Sequence, residues 1–253
     1  MTKGQTTIIL EKNAEIWKEL AKNPQGFMNL KTDREIYIDV RKNNTLDAYY
    51  RGQKVVEIEP TLAIDTYDHK KIIKKKREID AKKLKPENVL KSKFILESCD
   101  KDSFFIDSEF EYTLLGNKTA RADLVYFHKG CIYFVELKRY KDRRLAHRNS
   151  KPIEVVKQMQ KYRDVFKELT NNGVLKKYYQ TVATIKYRLG LISDEIEIIG
   201  INEIPILLIA DIPPIAKGRP ESSIRRKLDS IKKKIEDFPM VERKEGDFSF
   251  SIE

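Results

Sequence analysis

The sequence predicts a mixed α/β protein whose main unit runs helix, three strands, helix, strand, behind a small α+β region at the amino end. Three observations carry this. Residues 103 to 138 hold three β-rich runs separated by turn residues. The segment after Pro152 places Val156, Met159, Tyr162, Phe166 and Leu169 at helical spacing. Glu203 to Ile212 is a nearly continuous apolar run, as expected of a strand buried on both faces.

Taken in order, Lys12 to Lys22 reads as a short helix around Ile16, Trp17 and Leu20. Glu35 to Arg41, Leu46 to Arg51 and Gln53 to Glu59 are rich in β-branched and aromatic residues, with turn signals at Asn43-Asn44 and Arg51-Gly52, which predicts a β-meander. From His69 to Lys85, Ile72, Ile73 and Ile79 sit among lysines as in a basic amphipathic helix, and Pro86 opens a second helix through Val89, Leu90, Phe94 and Ile95. A boundary between Pro60 and Pro86 divides the chain into an accessory region, 1–68, and a main domain, 69–253.

In the main domain, strands are predicted over Ser103 to Leu114, Arg121 to Phe127 and Cys131 to Lys138, the first two joined by a turn at Gly116-Asn117. A helix starts near Ser150-Lys151-Pro152 and ends at Asn171-Asn172-Gly173. A last helix, Ser222 to Phe238, carries Ile224, Leu228, Ile231, Ile235 and Phe238 on one stripe.

Lys and Arg outnumber Asp and Glu by 50 to 39 over 253 residues, a formal charge of +11 that favours a polyanionic partner such as nucleic acid. A solvated lysine-rich surface explains the same excess. The excess concentrates between Lys70 and Lys101 and again in Arg139, Lys141, Arg143, Arg144 and Arg148. The cysteines, Cys99 and Cys131, have no metal-ligand spacing, which speaks against zinc. The longest apolar run, Ile204 to Ile209, is too short to span a bilayer, and no signal pattern opens the chain. A soluble protein of the reducing cytoplasm is expected.

The chemistry-bearing constellation lies around Lys129-Gly130. A two-residue turn there pairs His128 with Cys131, Val125 with Phe134 and Asp123 with Glu136, and puts Lys138 on the face of Glu136. Like charges opposed across strands repel. A divalent cation held by hard oxygens is the simplest compensation. Taken singly, a Glu and a Lys two apart on a strand are more often a solvated face, but Phe134, Val135 and Leu137 mark this strand as internal.

This order of elements, with Ala122-Asp123 on the second strand and Glu136-Leu137-Lys138 on the third, resembles the PD-(D/E)XK nuclease superfamily from about Glu87 to Ile212, with Ala122 where the proline of the motif stands. The resemblance implies a restriction-endonuclease-like core, Asp123 and Glu136 binding Mg2+ (or Mn2+), Lys138 serving the attacking water, and Gln158 on the following helix. It also implies an upstream acid, for which Glu97, Glu109 and Glu111 are candidates; Glu109, on the strand next to Asp123, comes first and Glu97 second. Metal-dependent hydrolysis of DNA follows as the leading expectation, with the basic clusters holding the backbone without reading sequence. RNA or branched DNA as substrate, or a nuclease fold kept as a non-hydrolytic nucleic-acid-binding scaffold, are the alternatives. The meander has three open roles: setting specificity, mediating homodimerisation, or capping the core.

Overall fold

A computed structural model of the chain describes residues 10–11, 17–18, 20, 30–42, 44–58, 69–114, 118–145, 154–214 and 221–252, the side chains at 69, 99, 221 and 222 excepted. Two sheets organise them. The meander is a three-stranded antiparallel sheet of β1 (Ile36–Arg41), β2 (Thr45–Tyr50) and β3 (Gln53–Ile58). The helices α1 (His69–Asp80) and α2 (Pro86–Glu97) follow. The second sheet has the order β4-β5-β6-β7-β8-β9. Its members are the two-residue β4 (Cys99–Asp100), β5 (Ser103–Thr113), β6 (Thr119–His128), β7 (Cys131–Arg139), β8 (Gly200–Ile212) and β9 (Met240–Lys244). Pairing is antiparallel from β4 to β7 and parallel from β7 to β9. The crossover from β7 to β8 contains α3 (Glu154–Asn171) and α4 (Val174–Arg188), and α5 (Glu221–Lys232) connects β8 to β9.

The predicted mixed α/β class therefore holds, with corrections at several ends. The basic helix stops at Asp80 rather than Lys85. Its last turn tightens through a bond from Lys82 N–H to Ile79 C=O at 3.0 Å, and Lys85, forced extended by Pro86, has φ −67° and ψ 121°. The last helix stops at Lys232, yet Ile235 and Phe238 remain buried, because turns closed by bonds from Lys234 N–H to the Ile231 carbonyl and from Phe238 N–H to the Ile235 carbonyl carry the apolar stripe onward. Helix α4 and strand β9 were not predicted. In α4 the aromatic and β-branched residues Tyr178, Tyr179, Thr181, Val182 and Ile185 favour strand locally, and burial of Leu175, Tyr178, Tyr179, Val182 and Ile185 on one side selects the helix. Most of the predicted Lys12–Lys22 helix, the Gly116-Asn117 turn and the Ser150–Pro152 start lie outside the described residues.

The second sheet is covered on both faces. Phe94 of α2 packs with Phe105, Leu124, Val135, Leu137 and Leu208 on one. On the other, α3 and α5 meet Leu207 and Ile209, while Phe134, Phe166 and Tyr179 form the centre of a larger cluster. Phe134 and Phe166 stack at 3.9 Å between ring centroids. The expected 68/69 boundary falls outside the described residues, and the core is continuous across it: Val40, Leu46 and Ala48 of the meander belong to the same cluster as Phe110, Phe134 and Phe166.

One turn of the meander also rests on the main unit. Gly52 has φ +71°, and a Cβ built on it would lie 2.3 Å from the Asn88 carbonyl oxygen of α2. Gly52→Ala is expected to lower stability by about 1–3 kcal/mol, from backbone strain together with the clash, measured as the shift of the urea midpoint. An unchanged midpoint would mean that the hairpin tip does not dock on α2.

Candidate active site

The β6–β7 hairpin closes as its residues dictate. Lys129 and Gly130 have φ +46° and +84°, the positive pair that a two-residue turn of this hand needs. The register counted from that turn is realised, with His128 against Cys131, Val125 against Phe134 and Leu124 against Val135. The ladder ends there. One step on, Asp123 uses its side chain where a backbone carbonyl would serve, and Oδ2 accepts the Leu137 N–H at 2.9 Å.

Alternation along β7 puts Phe134, Glu136 and Lys138 on one face and Val135 and Leu137 on the other. Beneath α3, Glu136 and Lys138 are flanked by Leu207 and Ile209 of β8, so both are taken out of water: Glu136 is 4 % exposed and Lys138 1 %. Lys138 Nζ donates to Glu136 Oε1 and to the Leu137 carbonyl at 3.0 Å, and lies 3.8 Å from Asp123 Oδ2. From α3, Gln158 Nε2 donates to the same Glu136 oxygen at 2.7 Å and to Tyr162 Oη at 2.8 Å. Asp123, Glu136, Lys138 and Gln158 are thus brought together.

Burial, then the neighbouring Asp123 charge, push the Glu136 carboxyl up to about 7, against the opposing pull of Lys138 and Gln158. Burial also raises the Tyr162 hydroxyl, with Glu136 adding to it. Among the described residues, Asp123 Oδ1 and Glu136 Oε2 accept no hydrogen bond, while the companion oxygen of each carboxylate is occupied. Two uncommitted hard oxygens beside a solvent-facing Asp123 fit Mg2+, which takes one or two carboxylates and fills its other positions with water and phosphate oxygens. The donor set is too small for a cation caged by protein alone.

Glu109 is a correction. It is half exposed, adopts φ +54°, and gives its carboxylate to Lys91 of α2. Among the described residues no three His, Cys, Asp or Glu side chains gather as a metal-holding group, so Glu109 does not join the pair as a third acid. Glu97 stands exposed at the end of α2.

The basic residues after β7 divide. Lys141 and Arg143 are exposed. Arg139 forks onto Asp211 at 2.5 and 2.9 Å. Arg144 forks onto Asp142 at 2.6 and 3.0 Å and approaches Glu87 of α2 at 3.6 Å, a partly buried set of contacts that ties the loop after β7 to α2. Against its partial burial, the bonds from Arg144 hold the Asp142 carboxyl below its ordinary value. Arg148 lies outside the described residues.

Sequence reasoning missed Tyr162, Glu87, Lys91 and the Leu137 amide. Only Tyr162 carried a signal, one helical turn after Gln158, and it was assigned to the apolar stripe of α3. No helix among the described residues is long and apolar enough to cross a membrane. Comparison of the chain with protein-family models, with curated proteins and with solved structures finds no match to any of them.

Proposed function

We propose that the chain is a Mg2+-dependent (or Mn2+-dependent) phosphodiester hydrolase of the PD-(D/E)XK kind, acting on DNA in the cytoplasm. The observation that carries this is the convergence of Asp123 and Glu136 on Lys138 Nζ, with one oxygen of each carboxylate that accepts no hydrogen bond from the described residues. The order α2, β5, β6, β7, α3, β8 supports a restriction-endonuclease-like core, with α4 as an addition to the crossover.

Asp123 Oδ1 and Glu136 Oε2 would hold the cation, which supplies charge neutralisation at the phosphoryl oxygens and a more acidic water. The chain's own residues do the rest. Asp123 is aimed by its bond to the Leu137 amide, and Gln158 with Lys138 fixes Glu136 through Oε1, which leaves Oε2 for the cation. Lys138 places positive charge where negative charge grows at phosphorus. Hydrolysis then bonds a water oxygen to phosphorus, breaks one ester P–O bond, and passes a proton to the departing oxygen.

The basic surface supports a nucleic-acid substrate. On α1, Lys71, Lys74, Lys75 and Arg77 are exposed, held down by buried Ile72 and Ile79. Arg51, Lys82, Lys93 and Arg139 line a cleft of about 360 Å³ together with Asp80 and Asp211, which pair with Arg51 and Arg139 and leave Lys82 and Lys93 to face a phosphate. Binding through such contacts releases counterions, so affinity should fall by about 10³-fold between roughly 50 and 200 mM salt if six or more phosphates are contacted.

The test incubates the full chain with labelled single-stranded, duplex and branched DNA and with RNA, with Mg2+, Mn2+ or a chelator, and measures Mn2+ binding by calorimetry. Metal-dependent cutting of DNA is expected. Absence of both cutting and metal binding would reject the proposal, and cutting of RNA alone would reassign the substrate.

A further inference from the structure

A second buried polar network lies away from the carboxylate pair, where the meander meets β5. Arg41, the last residue of β1, donates through Nη1 to Asp107 Oδ1 at 2.9 Å and to the Ser108 carbonyl at 2.5 Å. Through Nη2 it donates to Asp39 Oδ2 and to Tyr49 Oη, both at 2.9 Å. Ser108 Oγ donates to the same Asp39 oxygen at 2.6 Å. Asp39, Asp107 and Ser108 are all buried, and Lys186 of α4 comes within 3.5 Å of Asp39.

Its place in the sheet gives the network a consequence beyond docking. Asp107 and Ser108 pair with Val125 and Leu124, and pairing resumes with Phe110 against Ala122. The step skipped is Glu109 opposite Asp123. There β5 passes through a left-handed residue, and on the other side the β6–β7 ladder has already ended at Leu124. Asp123 thus lacks regular ladder pairing on both sides, and its course depends on the neighbours that hold the kink. Two grips hold it: Arg41 on the carbonyl before Glu109, and Lys91 on the Glu109 side chain.

We propose that Arg41 is a positioning residue for the Asp123 site, a guanidinium from the meander that fixes the β5 kink against which Asp123 is set. The inference rests on Asp123 and Glu136 being the metal centre, and it gives the meander a role that capping alone does not: the carboxylates are aimed only while β1 is docked. A planar fork is needed, because one group must reach two carboxylates, a hydroxyl and a carbonyl at once.

The test compares wild type with Arg41→Lys, which keeps the charge and loses the fork. Amide hydrogen exchange is followed over residues 108–111 and 121–124, and Mn2+ affinity is measured by calorimetry. Faster exchange at those amides and about tenfold weaker Mn2+ binding, the usual scale for disturbing the support of a metal ligand, are expected. A lowered melting temperature with both readouts unchanged would overturn the inference and leave Arg41 a purely structural ion. If wild type binds no Mn2+, the proposed function fails by itself, and the exchange data alone decide the inference. Should Arg41→Lys not fold, Ser108→Ala, which removes the hydroxyl that joins Arg41 Nη2 to Asp39 beside the kink, is read in the same way.

Discussion

Lys138→Met is expected to lower Mg2+-dependent cleavage by about 10³-fold while the protein stays folded at pH 6. Two effects combine. The variant loses the positive charge beside the phosphate, and it loses the partner that pulls the Glu136 carboxyl down. Burial and Asp123 already hold that carboxyl up to about 7 with Lys138 in place. Without the amine it rises further, Glu136 stays protonated at neutral pH, and the metal loses a ligand. Mn2+ affinity of wild type should increase by about tenfold per pH unit below about 7 and level off above it, since binding must displace the Glu136 proton. In the variant the same rise should move to higher pH. Superimposable binding profiles would show that Lys138 does not govern Glu136, and retained cleavage would remove it from the mechanism.

Arg41→Met is expected to be the most destabilising single change in the meander, by about 3–5 kcal/mol, because it strips a buried partner from Asp39 and Asp107 and leaves their charges uncompensated. An exposed pair such as Arg225 with Asp229 should by contrast tolerate loss of either member with little change. The deficit has a predictable pH dependence. Burial pushes the Asp107 carboxyl up to about 7; Arg41 opposes this and Asp39 reinforces it. A carboxyl raised in the folded state binds its proton more tightly there than in the unfolded chain, so stability is highest below the unfolded value and falls as pH climbs through the folded one. Removing Arg41 raises Asp107 further and extends that fall upward. Denaturant titrations at pH 5.5 and pH 8 should therefore show the larger deficit at pH 8. Equal deficits would mean that lost packing, not buried charge, carries the cost.

Much of the candidate site was legible because it depends on local rules. A positive-φ turn at Lys129-Gly130 and a period of two place Asp123, Glu136 and Lys138 with no knowledge of the rest of the chain. Gln158 was reachable through the spacing of α3 together with a family resemblance. Glu109 was misplaced for a definite reason: its pattern puts it on the strand beside the one that carries Asp123, but strand membership cannot show a left-handed residue, and that backbone turn delivers its carboxylate to Lys91. The end of α5 was overrun because apolar spacing persists past Lys232 through single turns that do not prolong the helix.

What the amino-acid order determined alone was the sequence of elements, the register of the β6–β7 hairpin and the meeting of two acids with an amine, since each follows from contacts between near neighbours in the chain. Only the tertiary structure decided that Glu136 and Lys138 are dry, that Arg41 reaches β5 across 67 residues, and that the meander shares its core with the main sheet. Those depend on which distant surfaces exclude water together, and no local pattern carries that information.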